Sequence, residues 1–416
     1  MPIPSPFHPH TAPHVESHEW RDWGGFLSAS TYEPSHEREY FAIRNAAALI
    51  DVSPLFKYEV RGPQALQAVD RTVTRSVAQA EIGRVLYTPW CDDEGKVIDD
   101  GTVHRLAQDH FRITSAEHNL AWLQDCAFGL DAQVADVTGD LAALALQGPN
   151  ARSVLKLAVG GADWDRLKYY RFAEGYILSK DEGYILSEVG GEVHHAAESF
   201  PVTVSRTGYT GDLGYELWIA PQHATALWDV LMQAGQGFGL LPAGIVALDI
   251  ARIEAGLIML QVDYVSARHA LIEDQKSSPF ELGLGWAVDL EKPAFVGRSA
   301  LLAEKRRGST WALAGLEVDW DSLQSLFAEV ELTPQVTGRA SRHSAPVYQG
   351  QRQVGYATSH AFSPILKKYI ALASLERAAA QIGAQLEFEV TVEHVRRRAS
   401  ARVVELPFFN PTRKKR

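Results

Sequence analysis

The chain has 416 residues, 46% of them hydrophobic and 22% charged. At roughly 150 residues per domain that length implies two or three domains, and the composition excludes a disordered, collagen-like or coiled-coil chain. With 40 Lys+Arg against 51 Asp+Glu the formal charge is −11, so the surface repels polyanions and no nucleic-acid partner is expected.

The first residues, Met1 to His18, hold His8, His10, His14 and His18 and no apolar signal core, and read as a mobile terminus. Ser35–Ala46 predicts a helix. Leu49–Val52 and Phe56–Val60 predict strands, and Gly62-Pro63 opens a short helix. Val85–Trp90, the turn Asp92–Gly95 and the return Val97–Asp100 have hairpin chemistry. Asn119–Cys126 predicts a helix, and Leu141–Gln147 a strand closed by Gly148-Pro149. The repeat Gly175-Tyr-Ile-Leu-Ser and Gly183-Tyr-Ile-Leu-Ser is too short in period for a solenoid and fits a pair of hairpin strands or a duplicated insertion. Ala224–Ala234 is an amphipathic helix stopped by Gly235, and Ala247–Ala255 another stopped by Gly256. The apolar stretch Leu240–Leu260 carries Asp249, Arg252 and Glu254 near its middle, so it reads as buried helix and no membrane association is expected. Leu386, Phe388, Val390 and Val392 alternate with polar residues as in a half-buried strand, and the C-terminal ~105 residues read as a small β-barrel or sandwich. The basic end, Arg413–Arg416, reads as solvated. Cys91 and Cys126 are far apart without a CxxC, which suits a reducing compartment; the expected location is the cytoplasm.

No Walker A loop, HExxH, GxSxG or dinucleotide fingerprint is present, and no metal is expected. Two segments can carry chemistry. Ser205–Leu217 places three glycines within seven residues ahead of Glu216, whose carboxylate either receives paired N–H groups from a heterocycle edge or is solvated at a strand start. In Val97-Ile98-Asp99-Asp100-Gly101 adjacent side chains face opposite ways, so one aspartate can face a pocket and serve a basic nitrogen, or both can be solvated at a strand end. The plentiful aromatic residues, 10 Trp, 14 Tyr and 16 Phe, can line a pocket for a flat ring.

Taken in order, DVS at 51–53, VIDD at 97–100, LQGPNA at 146–151, RTGYTGDLGYE at 206–216, RIEAG at 252–256 and FSP at 362–364 give a chain that resembles the folate-dependent T-protein (aminomethyltransferase) family of the glycine cleavage system. Tetrahydrofolate-dependent demethylases and the folate domains of sarcosine and dimethylglycine dehydrogenases share that superfamily. The resemblance runs from about Trp23 to Phe409. It implies an α+β fold, a three-domain cloverleaf around a central folate channel. Residues 1–55 with 140–260 would form the folate-binding α+β domain, residues 56–139 with 261–308 a second α+β domain with an antiparallel sheet, and residues 309–416 a C-terminal β-barrel or jelly-roll-like domain. It implies tetrahydrofolate as one-carbon acceptor and Asp100 as the catalytic group beside N10. By the same resemblance Glu216 grips the pterin's amino-pyrimidine edge. Tyr87, Tyr169 and Tyr209 line the pocket, Trp286 lies beside the folate, Leu55 and Ile113 touch the pterin, and Ser115 stands where the family has an asparagine.

The departures from the T-protein pattern gather toward the donor. Leu248 replaces an arginine of the family's GLGARD segment, Leu257 a tyrosine and Pro54 a histidine, while Arg252 is kept. Insertions are expected at about 174–199 and 264–275. The reading is a kept acceptor and a changed donor: a small O-, S- or N-methyl compound in place of the lipoylated carrier protein, with glycine-cleavage aminomethyl transfer as the alternative. A non-catalytic folate-binding protein is a further class. So is iron–sulfur assembly, whose proteins carry a cysteine where Lys292–Arg298 has Ala294.

Overall fold

The computed structural model describes residues 1–178 and 199–415. The second copy of the GYILS repeat and most of the expected insertion at 174–199 lie outside the described residues. The fold is mixed α+β, built on two largely antiparallel sheets and a closed barrel.

The larger sheet has six strands in the order Phe172–Leu178, Ser199–Ser205, Gly214–Ile219, Ala142–Gln147, Ala47–Asp51 and Leu240–Pro242. The central strand Ala142–Gln147 is buried throughout. Its alternation serves two cores: Leu144 and Leu146 meet the helices Ala151–Ala158 and Ala224–Gly235 on one face, and Ala143 and Ala145 meet the helix Ile245–Glu254 on the other. The second sheet orders Val85–Cys91, Val97–Ala107, His110–Ser115, Phe56–Arg61 and Gln133–Asp136, all antiparallel. The expected hairpin is there, with Pro89 opposite Asp100, and its return strand runs on to Ala107. Six strands between Trp311 and Val404 close into the expected C-terminal barrel.

Both ends of the chain differ from their sequence reading. The N-terminus is fixed: Ile3-Pro4 pairs with Phe26-Leu27, Phe7 and Val15 are buried in the larger sheet's core, and Ser5 Oγ donates to Asp51 at 2.5 Å. Pro and His dominate its composition, but two apolar residues are enough to anchor it. At the C-terminus Arg413 is docked, not solvated. Its guanidinium donates to both oxygens of the buried Asp212, at 2.6 and 2.8 Å, and to the Arg44 carbonyl at 3.0 Å.

The helix Ile245–Glu254 is buried at all ten positions. Its charges survive burial because each is paired. Glu254 receives Arg44 Nη2 at 2.5 Å and Nε at 2.8 Å, Tyr40 Oη at 2.5 Å and, from the barrel, Ser363 Oγ at 2.6 Å. Asp249 receives Arg252 Nε at 3.0 Å and Arg342 Nε at 2.6 Å. Removing one partner leaves the others buried and uncompensated. Glu254→Ala is therefore expected to destabilise the fold by about 3–5 kcal/mol, read as a lower denaturant midpoint. A midpoint within a few tenths of the parent's would contradict this account.

Candidate functional site

Adjacent aspartates on the strand Val97–Ala107 divide the work. Asp99 is wholly buried and structural: it accepts the backbone N–H of Glu117 at 3.0 Å, of Asp100 at 2.7 Å, and the Asn119 side chain at 2.8 Å. The alternative of a solvated pair is thereby set aside. Asp100 points the other way, toward a cluster of tyrosines. Tyr87, on the facing strand, donates its hydroxyl to Oδ2 at 2.7 Å, and Tyr264 donates to Oδ1. Burial raises the Asp100 pKa from the ordinary carboxylate range, and the nearby Asp263 adds to this, while the two tyrosine hydroxyls work against it. Gly101 lets this strand lie close to its neighbour, because a Cβ there would stand 1.9 Å from the Thr114 carbonyl oxygen.

Glu216 is the third residue of the strand Gly214–Ile219. One of its oxygens accepts Thr207 Oγ1 at 2.9 Å, and the other has no hydrogen-bond partner among the described residues. Burial pushes its pKa up to about 7, with the Thr207 hydroxyl opposing. The glycines that flag this segment have a specific job. A Cβ at Gly208 or Gly214 would each come within 2.2 Å of the Gln147 side-chain oxygen. Gln147 is itself buried and receives Thr210 Oγ1 at 2.8 Å. The LQGPNA and RTGYTGDLGYE segments are thus one packed unit that sets where Glu216 begins.

Tyrosines join the two carboxylates. Tyr209 donates its hydroxyl to the Ile258 carbonyl, and Asp100 and Arg252 both bear on its electrostatics. Tyr169 meets Tyr170 edge-on at 4.6 Å, and the Glu216 carboxylate raises the Tyr170 pKa further after burial and Tyr169. Tyr170 adopts φ +58°, a left-handed conformation uncommon for a non-glycine residue. Backbone hydrogen bonds on both sides hold it there, to Arg206 at 3.1 Å and from Val85 at 3.0 Å. Trp286 stacks on Tyr87 at 5.9 Å, and the Arg75 guanidinium lies 5.4 Å from its ring centre. Beside Trp286 an open cavity of about 580 Å³ is lined by Arg75, Arg84, Leu86 and Arg171 among others. A continuous series of side chains thus runs from this cavity through Trp286 and Tyr87 to Asp100.

Several expected site residues are placed elsewhere. Ile113 is fully buried in the second sheet's core and offers no surface to a ligand. Ser115 is buried too and donates to the Glu117 carbonyl at 2.6 Å. Leu55 is half-buried against the apolar cluster that includes Ile50 and Val52, its carbonyl receiving the Lys57 ammonium at 2.8 Å. On the donor side, Leu248 is core, packed with Ile50 and Ile250. Arg252 is fully buried between Asp249 and Asp263 and donates to the Leu257 carbonyl at 3.3 Å. Both positions lie on a helix that faces the sheet and the barrel, so they build the core instead of the donor wall. Leu257 is half-buried just after that helix. Three residues escaped the sequence reading: Tyr170, Thr207 and Tyr264. For Tyr264 the available signal was its place directly after Asp263, downstream of RIEAG. Among the described residues no group of three or more His, Cys, Asp or Glu could hold a metal ion.

The arrangement offers a hydroxyl-bound carboxylate, a second carboxylate with one open oxygen, and aromatic faces between them. That set of acceptors fits a flat heterocycle with an N–H edge. The architecture is that of a solved structure, the glycine cleavage system aminomethyltransferase T from Bartonella henselae, with a TM-score of 0.78 over 99% of both chains at 23% identity. The sequence matches the GCVT N-terminal domain over residues 7–190 and 192–292 and the glycine cleavage T-protein C-terminal barrel domain over 329–410. An aminomethyltransferase from Halothermothrix orenii is 32% identical over 95% of both chains. A trimethylamine-oxide aldolase from Ruegeria pomeroyi is 34% identical over 94% of this chain and 45% of its own length. The chain belongs to the glycine cleavage T-protein (aminomethyltransferase) family. Aminomethyltransferases of this family use tetrahydrofolate as the one-carbon acceptor. No helix among the described residues is long and apolar enough to cross a membrane.

The Glu216 pKa of about 7 lies above its ordinary value of 4.5. The folded state therefore binds this proton more tightly than the unfolded chain, and stability falls as pH rises from about 4.5 to 7. Glu216→Gln removes that loss. The gain in melting temperature of the variant over the parent should grow across this window and level off above it; a gain independent of pH would contradict the assignment.

Proposed function

We propose that this protein is a tetrahydrofolate-dependent one-carbon transferase whose donor is a small O-, S- or N-methyl compound, with Asp100 as the base on the acceptor side. The observation that carries the acceptor half is the Asp100 carboxylate, bound by Tyr87 and Tyr264 in the same tyrosine cluster that reaches Glu216. When bound, tetrahydrofolate supplies the nucleophilic nitrogen that receives the one-carbon unit. Glu216, through its open oxygen, accepts the N–H edge of the pterin and fixes the ring's orientation. Asp100 accepts a proton at one carboxylate oxygen as the nitrogen takes up carbon. Trp286 and Tyr87 provide a stacked aromatic wall along the approach, and the tyrosines keep water from the reacting carbon. Holding donor and acceptor together supplies much of the rate.

Two facts favour a small donor. By the family resemblance Leu257 stands where the T-protein pattern has a tyrosine, and one relative along nearly the whole of this chain is named for an N-methyl N-oxide substrate. Arg252 is buried between two carboxylates through its Nε and Nη1, and its Nη2 has no hydrogen-bond partner among the described residues. A second reading, aminomethyl transfer from a lipoylated carrier protein, is favoured by relatives named aminomethyltransferase at 30–33% identity. The reaction is also compatible with a location in the cytoplasm.

Incubation with tetrahydrofolate and a panel of methylated amines, ethers and sulfonium compounds, beside aminomethyl-loaded carrier protein, separates the readings by the mass of the folate product. A 5-methyl product from a small donor supports the first. Product from the carrier alone supports the second. Asp100→Asn is expected to lower turnover by about 10²–10⁴-fold while reduced-folate binding, followed by calorimetry, persists. Equal turnover in the variant would remove Asp100 from the chemistry.

A further inference from the structure

We propose that Tyr264 is a positioning residue for the Asp100 carboxylate: together with Tyr87 it fixes the rotation of that group and keeps it as an acceptor facing the reactants. This rests on the reading of Asp100 as the acceptor-side base. The two hydroxyls arrive from different parts of the fold, Tyr87 from the strand Val85–Cys91 onto Oδ2 and Tyr264 from the segment after the buried helix onto Oδ1. Both oxygens are therefore engaged, and each keeps a lone pair for a reactant.

Tyr264 has little freedom to do anything else. It is 4% exposed and packs with Cys91, Val97 and Leu282. Its carbonyl accepts the Gln261 N–H at 2.7 Å. The residue before it, Asp263, is buried and takes Arg252, Thr358, Ser359 and the Met259 N–H. The ion pair of Arg252 with Asp263 thus sets the backbone from which Tyr264 reaches Asp100. In this way the arginine kept from the family pattern serves the site without touching it.

Two O–H donors on one carboxyl group suit the anion. A protonated carboxyl would have to turn its own O–H against one of them. Around Asp100 stand Tyr87 from the facing strand, Asp99 on its own strand, Tyr264 and Asp263 from the segment after the helix, and Tyr209 from the glycine-rich loop. Burial and the Asp263 carboxylate favour the neutral form of Asp100, and the Tyr264 and Tyr87 hydroxyls oppose them. Losing Tyr264 removes one of those two opposing donors.

The test compares the parent with Tyr264→Phe. The ¹³C resonance of the Asp100 carboxyl, assigned by its absence in Asp100→Asn, reports the protonation of that group without any need for turnover. The acid limb of the kcat profile reports it during turnover. The expected result is a carboxyl pKa higher by about one unit, with kcat down about tenfold and KM for the folate little changed. An unmoved carboxyl titration in a folded Tyr264→Phe protein would overturn the proposal. If that variant fails to fold, replacement of Tyr264 by 3-fluorotyrosine keeps the shape and strengthens the donor. The carboxyl pKa should then fall, and no shift would overturn the proposal. If the parent turns over no donor at all, the transferase reading fails, yet the carboxyl titration still decides the role of Tyr264.

Discussion

Burying charge in a low-dielectric interior forces every charged group to find a partner, and one helix shows how far this constraint organises the molecule. Ile245–Glu254 lies under the six-stranded sheet with Asp249, Arg252 and Glu254 all out of solvent. Each partner comes from a different part of the chain: Arg44 and Tyr40 from the helix Glu37–Asn45, Arg342 from the connection between the barrel strands Trp311–Val318 and Ala345–Gln349, Ser363 from a barrel strand, and Asp263 from the segment that follows the buried helix. The helix is therefore a junction, and its polar bonds register the barrel against the sheet. Apolar contacts of the same area would hold the pieces together with less control over their alignment.

The site inherits its order from that junction. Asp263 is held by Arg252 and by two barrel hydroxyls, Thr358 and Ser359. Its neighbour Tyr264 reaches across to Asp100 on the other sheet. The opposite carboxylate, Glu216, is set by a separate device, the wedging of Gln147 between Gly208 and Gly214. Two independent pieces of packing thus define the two polar poles of the proposed acceptor site. Between them lie rings whose only requirement is flatness and a place for a hydroxyl. Such a layout can hold one acceptor while the donor side varies.

Much of this was legible from the residues alone. The hairpin Val85–Asp100 shows in its turn chemistry, and the opposite facing of Asp99 and Asp100 follows from strand geometry. The charged apolar stretch around Arg252 could be read as buried helix because three charges do not suit a membrane. What failed were inferences that needed partners distant in sequence. Arg252 and Leu248 sit on a helix whose inward and outward faces are both covered, so periodicity could not tell core from site. Ile113 alternates correctly along its strand but faces the core side. Arg413 and Phe7 look like tail residues until Asp212 and the sheet core are brought next to them by the fold. Tyr264 belongs to the same class, since its contact with Asp100 is made across 164 positions of sequence.

The most direct test of the central claim is a structure of the protein with a reduced folate bound. The account predicts the amino-pyrimidine edge against the open oxygen of Glu216, the ring system against Tyr87 or Tyr209, and the acceptor nitrogens within hydrogen-bond reach of Asp100 while Tyr87 and Tyr264 still hold that carboxylate. A folate bound elsewhere, with Glu216 and Asp100 both free of it, would contradict the account.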